Sequence, residues 1–525
     1  MQSDPSKAYL ANSPYIYAYF RQQHPISMRW VQLLAGISSP MASEQACHCE
    51  LGFGQGLGLA ITAATSIEQQ VGVDFMPEQV KELTQLLARS GVEARLHSAD
   101  FAQFLTTNKQ TFQSISLHGV WSWVAPEIRQ QILTIIKRFL SDDGMVYLSH
   151  NTLPACAPIL PLQRLIHHTA SVFKDQDDLG LKAALAVLQS AMPVSRYFAD
   201  EPSLLNWWHS LEHENPRYLA HEYLGHAWNP MSFSDTADCL AQVGLSFACS
   251  ADASELIPDW HFSESQQDWL DALPEGNLRE SYADLLRNQT FRRDIWQKNP
   301  VILTLAEQTQ AILSTQLVLL HPLTVIDEMI QDDYARFKLA QSVTHQLLNQ
   351  LADNSYMPKS IEAMLTAIND GIANDETISA IDLIPLLAWL TSLGGVHPAN
   401  TEISDELIQS AQRLNTHLMD TAWQDGRIAY LASPVAACGV QVSRLQQLAL
   451  LAYLATQKVN ARCWVDWILQ QAHPQASDSV FPPDINTPQQ HAWLVSHYEK
   501  FIEQRFPLLL ALKVVSVLVP AADEA

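Results

Sequence analysis

The chain has 525 residues, of which 47% are apolar, so it has enough material to build buried cores in about three domains. Only 16% of the residues are charged, and 55 Asp and Glu against 31 Lys and Arg give a net charge of −24. Because phosphate groups repel an acidic surface, this balance argues against nucleic acid or an anionic membrane as the main partner.

The cysteine content and the terminal segments favour a cytoplasmic protein. Seven cysteines spread over a large chain are typical of a reducing compartment. The start, MQSDPSKAYL, has no basic segment followed by an apolar one, so we expect no signal peptide. The apolar run Leu508–Val519 is shorter than the roughly 20 residues that span a bilayer. Its end, Val517–Val519, could pair with a second copy, which leaves a homodimer open, or close the protein's own sheet.

Residues 45–152 alternate short apolar runs with amphipathic stretches. This alternation predicts βαβ units and a parallel sheet with helices on both faces. The predicted strands are Cys47–Leu51, Gln70–Phe75, Glu93–His97, Phe112–His118 and Gly144–Ser149. The predicted helices are Leu57–Ala64, Pro77–Ala88 and Pro126–Leu140.

The pattern becomes helical after Asn151. We expect a helix over Leu160–Phe173 and further helices within 175–216, then a helix over Ser234–Val243 and a strand over Leu245–Cys249. Beyond residue 300 the chain is mostly helical, and its segment 358–393 has a pattern similar to a winged helix.

A glycine-rich turn, Glu50-Leu-Gly52-Phe-Gly54-Gln-Gly56, follows the first predicted strand and precedes a helix. Glycines there permit positive φ and a close ligand approach, and the helix start offers unpaired N–H groups. The dinucleotide pattern G-x-G-x-x-G would require a glycine at Leu57. A carboxylate at Glu50 would repel a pyrophosphate, but it suits a cation or zwitterion such as the amino-acid end of S-adenosylmethionine.

Two further carboxylates follow in the expected order. Asp74 ends the second strand region, where a carboxylate can accept both ribose hydroxyls. Asp100 follows the third strand region, placed to accept from an adenine amino group, with Phe101 against the ring. The glycine-rich turn, Asp74 and Asp100 together indicate a nucleoside site. Asp74 alone would not, because it could simply be an acidic residue at the N-terminus of a helix.

The order of these motifs resembles class I S-adenosylmethionine-dependent methyltransferases. Longer stretches resemble bacterial methyltransferases with a methyltransferase regulatory domain, some of which are protein-lysine methyltransferases. The matching segments include ELGFGQGLGLAI (50–61), LHGVWSWV (117–124), YLSHNTLP (147–154), the run 218–252 and RNQTFRRDIW (287–296).

The resemblance implies an S-adenosylmethionine pocket and an adjoining acceptor site. The implied cofactor-binding residues are Glu50, Gly52, Gly54, Gly56, Asp74, Phe75, Asp100, Phe101 and His118. The acceptor side would include Trp121, Ser122, Trp123, Ser149, His150 and Asn151, with His118 or His150 as the proton acceptor. Trp121 and Trp123 share one side if the segment is extended, and core packing is the alternative for both.

Some residues depart from the lysine-methylating relatives. Those proteins commonly have Cys and Asp inside the glycine motif, where this chain has Phe53 and Gln55, and they often read Ser-Tyr-Asn where it has Ser149-His150-Asn151. The segment His221–His226 is no zinc-protease helix, because its histidines are five apart and therefore lie on different faces. We expect no metal.

The sequence therefore predicts an α/β, Rossmann-like methyltransferase, with a protein side-chain amine such as lysine as the expected acceptor. A sugar, lipid or other small-molecule acceptor is an alternative, and so is a non-catalytic module that binds S-adenosylmethionine. Arg292-Arg293-Asp294 is either a salt-bridged corner between domains or a polypeptide contact. The predicted divisions are a catalytic core (1–174), a helical insertion over the active site (175–216), a regulatory-type module that could complete the sheet (217–300) and a mostly helical C-terminal domain (301–525).

Overall fold

The computed structural model describes residues 17–173, 178–225, 227–330, 341–371, 377–471 and 487–516. Its centre is a seven-stranded sheet with the order β3-β2-β1-β4-β5-β7-β6. The strands are β1 (Cys47–Leu51), β2 (Gln69–Asp74), β3 (Arg95–Ser98), β4 (Phe112–Leu117), β5 (Leu140–Asn151), β6 (Leu245–Ser250) and β7 (Phe291–Lys298).

The first five strands are parallel and alternate with helices, as the sequence predicts. Prolines at the first position open the third and fifth helices, where the missing N–H costs no hydrogen bond. The helices are α1 (Pro25–Leu34), α2 (Leu57–Thr65), α3 (Pro77–Ser90), α4 (Phe101–Thr107) and α5 (Pro126–Phe139).

Successive side chains of β1 point to opposite faces of the sheet, the apolar ones to one face and the polar ones to the other. Cys47, Cys49 and Leu51 join the core on one face of the sheet. On the other face, His48 bonds the hydroxyls of Ser114 and Ser116, at 2.7 and 3.1 Å. Glu50 lies on this second face, next to Leu51, which is the last residue of the strand.

The far edge of the sheet is antiparallel. Strand β7 inserts between β5 and β6 and runs antiparallel to both. The segment that contains Arg292 is therefore part of the sheet. Its guanidinium is buried and pairs with Asp284 at 2.6 Å, Asp294 at 2.8 Å and Glu280 at 3.0 Å. The predicted salt bridge is therefore present, but it lies at the edge of the sheet rather than at a corner between domains.

Between β5 and β7 the chain forms β6 and a series of short helices. Leu162, Leu181, Phe198 and Trp208 are among the apolar side chains that give the first five of these helices a small core of their own. The helices are α6 (Leu160–Val172), α7 (Asp178–Ala191), α8 (Arg196–Asp200), α9 (Ser203–Leu211), α10 (Pro216–Leu224), α11 (Phe233–Ala241), α12 (Pro258–His261), α13 (Glu264–Asp271) and α14 (Asn277–Arg287).

The region after residue 300 is mostly helical, as predicted. It also has a small three-stranded sheet and a hairpin. The helices are α15 (Leu305–Ser314), α16 (Leu323–Ile330), α17 (Gln341–Tyr356), α18 (Ile361–Asp370), α19 (Ile384–Ser392), α20 (Asp405–Asp420), α21 (Arg444–Thr456), α22 (Ala461–Gln471), Thr487–Gln504 and Phe506–Ala511. The strands are β8 (Gln316–Leu319), β9 (Lys359–Ser360), β10 (Val396–Pro398), β11 (Tyr430–Ser433) and β12 (Cys438–Gln441).

The C-terminal region packs directly on the helices that follow β1 and β2. Helix α20 contacts α2 and α3, and the Arg413 Nε donates to the Ser90 carbonyl at 2.8 Å. Leu59 and Leu414 belong to one continuous apolar core. The C-terminal region therefore supports the elements that form the glycine-rich turn.

Within the described ranges, no helix is both long and apolar enough to cross a bilayer. The expected pairing of Val517–Val519 and the position of His226 lie outside the described residues. The winged-helix interpretation of 358–393 stays a prediction.

Candidate functional site

A cavity of about 560 Å³ opens at the carboxyl ends of β1, β2 and β4. Ligands of open α/β sheets bind at such strand ends. Its wall includes eleven of the fifteen site residues predicted from the sequence: Glu50, Gly52, Gly54, Gly56, Asp74, Phe75, Asp100, Phe101, His118, Trp123 and Asn151. The other four, Trp121, Ser122, Ser149 and His150, do not line it.

The glycine-rich turn depends on backbone conformations that other residues rarely adopt. Gly52, Gly54 and Gly56 have φ of +75°, +59° and +73°. A Cβ on Gly56 would lie 2.4 Å from a methyl of Leu83, whereas one on Gly54 would meet nothing within 4 Å. Gly56 therefore permits close helix packing, and Gly54 leaves space beside the cavity.

Asp74 ties the glycine-rich turn to the end of β2. One carboxylate oxygen accepts the Gly54 N–H at 2.9 Å, and the other accepts the Met76 N–H at 2.9 Å. Burial raises the pKa of Asp74 to about 6, although these backbone donors oppose the shift. The carboxylate thus fixes the shape of the turn and also lines the cavity.

Glu50 is buried on the same side of the cavity. Burial, and then the negative charge of Asp74, raise its pKa to about 8, while a hydrogen bond from Gln23 opposes the shift. Two buried carboxylates disfavour each other's ionisation unless a cation lies between or beside them. This end of the cavity is therefore suited to a positively charged group and unsuited to a pyrophosphate.

The adenine side of the predicted site is less enclosed. Asp100 is the N-cap of α4, and its Oδ1 accepts the Gln103 N–H at 2.7 Å in a capping box. Both Asp100 and Phe101 are half-buried and line the cavity. Asp100 thus has the structural role of a cap in addition to its proposed role toward a base.

His118 lies at the cavity wall, between an aromatic ring and two hydroxyls. Its ring stacks on Phe20 with centroids 3.5 Å apart, and its Nδ1 is 2.8 Å from the Tyr147 hydroxyl and 3.2 Å from the Ser149 hydroxyl. Burial, and then the charge of Arg293, lower the pKa of His118 to about 3. A neutral ring with so low a pKa accepts protons weakly at neutral pH, which argues against His118 as the base.

The structure separates Trp121 from Trp123, contrary to the expectation that they share a side. Residues Trp121–Trp123 form a 3-10 helix, in which consecutive side chains turn by about 120°. Trp121 is fully buried in the core, whereas Trp123 lines the cavity and stacks on Trp228 at 5.8 Å. Trp123 replaces Trp121 as the aromatic candidate.

His150 does not reach the cavity either, because β5 continues through Asn151 and strand alternation puts the two residues on opposite sides. His150 is buried with its Nε2 3.9 Å from Asp294, and burial lowers its pKa to about 3. Asn151 lines the cavity, and its Oδ1 accepts from the Trp228 indole at 3.2 Å. The proton-acceptor role predicted for His150 therefore has no geometric support.

Residues Ala18–Gln23 pass over the cavity, and the C-terminal region holds them there. Ala18, Phe20 and Gln23 line the cavity. Between them, the Tyr19 hydroxyl accepts the Gly439 N–H, and Arg21 donates to the Gly439 carbonyl at 3.4 Å. The nearby His24 is buried and bonds Thr62 without lining the cavity.

Adding a methyl group at Gly439 tests this connection. A Cβ there would lie 2.7 Å from the Tyr19 ring, so Gly439→Ala displaces Tyr19 and the adjoining Phe20. We expect about fivefold to tenfold weaker cofactor binding by calorimetry, from an overpacking cost near 1 kcal/mol. Gly426→Ala is the matched control, because its nearest neighbour would be at 3.7 Å. Equal affinities for the two variants would contradict the connection.

The cavity wall also contains residues that were not predicted as site residues from the sequence, except Arg293, for which a polypeptide contact was one alternative. Helix α10 contributes Tyr218, His221 and Glu222, and β7 contributes Phe291 and Arg293. These segments are distant in sequence from the glycine-rich turn, and no motif spacing links them to it. Their position depends on the antiparallel insertion of β7 and on the fold of the helical segment.

The pattern of charges fits S-adenosylmethionine better than a dinucleotide. Glu50 and Asp74 offer two carboxylates to the ammonium, the sulfonium and the ribose, while the turn leaves room at Gly54. A dinucleotide would instead place its pyrophosphate near these carboxylates. Among the described residues, no cluster of three or more His, Cys, Asp or Glu is arranged for a metal ion.

Cofactor affinity should depend on pH through Glu50. With a pKa of about 8, Glu50 is mostly protonated at pH 6, and a cationic ligand must bind its ionised form. We expect S-adenosylmethionine to bind about 50-fold more tightly at pH 8 than at pH 6 in calorimetry. Binding of 5′-methylthioadenosine, which has no ammonium group, should change little. Parallel pH curves for the two ligands would contradict the assignment.

Two family models match the chain. One, described as a methyltransferase domain, matches residues 49–144, which include the glycine-rich turn and Asp74. The other, described as a predicted methyltransferase regulatory domain, matches residues 215–298, which include α10 and β7. The cavity is thus formed by residues of both matched segments.

Curated relatives occur in bacteria. An uncharacterized protein of Synechocystis is 27% identical over 455 residues, covering 85% of this chain and 88% of that protein. An uncharacterized protein of Rickettsia prowazekii is 26% identical over 221 residues, covering 40% of this chain and 85% of that protein. The first alignment extends over most of both chains, including the C-terminal region.

A solved structure shares nearly the whole fold. PKMT2 from Rickettsia typhi, in complex with AdoHcy, is 16% identical, with a TM-score of 0.68 over 96% of this chain and all of that chain. A second structure of PKMT2 gives a TM-score of 0.67 at 17% identity. At this identity the likeness shows the fold alone, and the activity rests on the methyltransferase domain. The chain therefore contains a methyltransferase domain and a predicted methyltransferase regulatory domain, and it is an S-adenosylmethionine-dependent methyltransferase.

Proposed function

We propose that the enzyme methylates a side-chain amine of a protein, with lysine as the acceptor. The observation that supports this most is a single cavity whose wall combines Glu50 and Asp74 of the sheet with Glu222 of helix α10. The first pair suits the cationic cofactor, and Glu222 suits a second cation, which an acceptor ammonium would supply. The resemblance to lysine-methylating bacterial proteins supports the same substrate class.

In this proposal the chain's own residues hold the cofactor and orient the acceptor. S-adenosylmethionine, when bound, supplies a methyl group on a sulfonium centre that an amine can attack in line. Glu50, Asp74 and the glycine-rich turn hold its amino-acid and ribose ends, and Asp100 and Phe101 receive its base. Trp123 and Trp228 present aromatic faces beside Asn151, which favour a cationic group through cation–π contact.

The reaction depends chiefly on position. Holding the two reactants in line can remove roughly 7–11 kcal/mol of the barrier without a metal or a covalent intermediate. Residues Ala18–Gln23 and helix α10 lie on the cavity wall, where they limit the access of water. A lysine ammonium must also lose its proton before it can attack.

A cytosolic location belongs to the same proposal. All seven cysteines lie among the described residues, and none forms a disulfide. Free thiols in this number are typical of a reducing compartment. The acidic net charge of −24 would attract a basic protein segment by electrostatic steering.

The proposed acceptor can be tested by incubating the purified enzyme with S-adenosylmethionine labelled in the methyl group and a cell lysate. Protein and metabolite fractions are then separated, and the labelled proteins are hydrolysed to identify the methylated residue. We expect label in protein, recovered as methyllysine. Label confined to metabolites would contradict the protein substrate, and no transfer despite cofactor binding would indicate a module that has lost catalysis.

A further inference from the structure

We propose that the Glu222 carboxylate binds the ammonium group of the acceptor and takes its proton. This inference rests on the proposed function, because it requires an amine acceptor. Two observations support it: Glu222 lies on the cavity wall, and no hydrogen bond or ion pair joins its carboxylate to another of the described residues.

Helix α10 directs one face into the cavity. Tyr218, His221 and Glu222 are separated by three and four residues, so they lie side by side on this face. Gln163 of α6 fixes the end of the helix by donating to the Tyr223 and Gly225 carbonyls, at 3.3 and 2.9 Å. The carboxylate is thus held at the cavity by a supported helix.

Glu222 differs from poorly exposed acids that lie outside the cavity. Asp284 and Asp294 pair with Arg292, and Glu68 pairs with Arg29. In the part of the chain that the structure describes, the Glu222 carboxylate has no such ion pair and no hydrogen bond. Carboxylates removed from water normally require a cation or a donor, so an unpaired one facing a cavity indicates that its partner is a ligand.

The electrostatic surroundings prepare Glu222 to accept a proton. Burial first, and then the negative charge of Glu214, raise its pKa to about 8. The other titratable groups that interact with it are Tyr218, Tyr223 and Cys156. A carboxylate with this pKa accepts a proton from an ammonium group more readily than His118 or His150 does, because the pKa values of these histidines are lowered to about 3.

The proton transfer balances without any further reactant. The proton leaves the acceptor nitrogen for a Glu222 oxygen, which converts an ammonium and a carboxylate into a neutral amine and a carboxylic acid. The amine then has the free lone pair that attack on a methyl group requires. After transfer, the carboxylic acid returns its proton to water.

The test compares Glu222→Gln with the wild type and with Glu222→Asp. Glu212→Gln is the matched control, because Glu212 is an exposed carboxylate on the preceding segment. Three readouts are measured for each: cofactor affinity by calorimetry, binding of n-butylamine to the protein saturated with S-adenosylhomocysteine, and transfer of labelled methyl groups to lysate proteins. n-Butylamine is a probe of the lysine side chain.

For Glu222→Gln we expect unchanged cofactor affinity, at least about tenfold weaker n-butylamine binding and about 100-fold slower methyl transfer. The rate of the wild type should rise with pH as Glu222 ionises, and this rise should be absent in the variant. Glu222→Asp should recover part of the rate, and Glu212→Gln should match the wild type.

The outcomes separate this inference from the proposed function. If the wild type methylates protein amines and Glu222→Gln binds n-butylamine and transfers methyl groups equally well, the role of Glu222 is wrong and the function stands. If the wild type labels no protein amine, the proposed function fails first. A variant that also loses cofactor affinity would show a structural role for Glu222 and would overturn the inference.

Discussion

Asp74→Ala is expected to weaken S-adenosylmethionine binding by about 100-fold or more. The substitution removes the acceptor of both the Gly54 and the Met76 N–H groups. Each poorly exposed donor left without a partner costs about 1–3 kcal/mol, and the lost carboxylate no longer faces the ribose. The unpaired donors and the missing carboxylate both affect the turn that holds the cofactor, so we expect both to weaken cofactor binding.

Calorimetry on the purified variant measures this loss. Asp142→Ala is the matched control, because Asp142 is an exposed residue of β5 outside the cavity. Circular dichroism distinguishes weaker binding from unfolding, since the core strands do not depend on this side chain. A folded Asp74→Ala protein with wild-type affinity would contradict the assignment of Asp74.

Glu50→Gln is expected to stabilise the ligand-free protein and at the same time to weaken cofactor binding. The pKa of Glu50 is raised in the folded state from its ordinary 4.5 to about 8, so the folded state binds this proton more tightly than the unfolded chain does. Its contribution to stability is therefore full below about pH 4.5 and is lost as the pH rises through about 8. Glutamine cannot ionise, so the variant avoids this loss.

Thermal unfolding at pH 6 and pH 9 measures the first effect, and calorimetry measures the second. We expect the unfolding midpoint of the wild type to fall more than that of the variant over this range. Cofactor affinity at pH 8 should fall at least about tenfold, because the ligand loses a charged partner. A variant that is less stable than the wild type at pH 9, or that binds the cofactor equally well, would contradict this role of Glu50. In that role its buried charge destabilises the ligand-free protein and binds the cofactor.

The sequence was sufficient to predict the parallel half of the sheet, because local patterns define those strands. Each strand predicted between residues 47 and 149 corresponds to an observed strand, with boundaries shifted by a few residues. The position of β7 could not be predicted in this way. Its alternation is interrupted by Arg292 and Asp294, whose burial is explained by the ion pairs that they form with each other and with α14.

The cofactor side of the site could likewise be predicted from the sequence, because its residues follow the strand ends in chain order. The acceptor side could not be predicted in this way. Trp121 and Trp123 look equivalent in an extended segment, and only the 3-10 turn separates them. His150 was misplaced because β5 extends further than its apolar core predicts. Glu222 had no local signal, since its unpaired state depends on which residues the fold brings near it.

The glycine-rich turn, Glu50 and Asp74 form a site for a cationic nucleoside. A titration of the wild-type protein with S-adenosylmethionine and, separately, with NAD tests this site most sharply. We predict one S-adenosylmethionine bound per chain, displaced by S-adenosylhomocysteine, and no measurable binding of NAD. Binding of NAD in competition with S-adenosylmethionine, or the absence of S-adenosylmethionine binding, would contradict this assignment of the site.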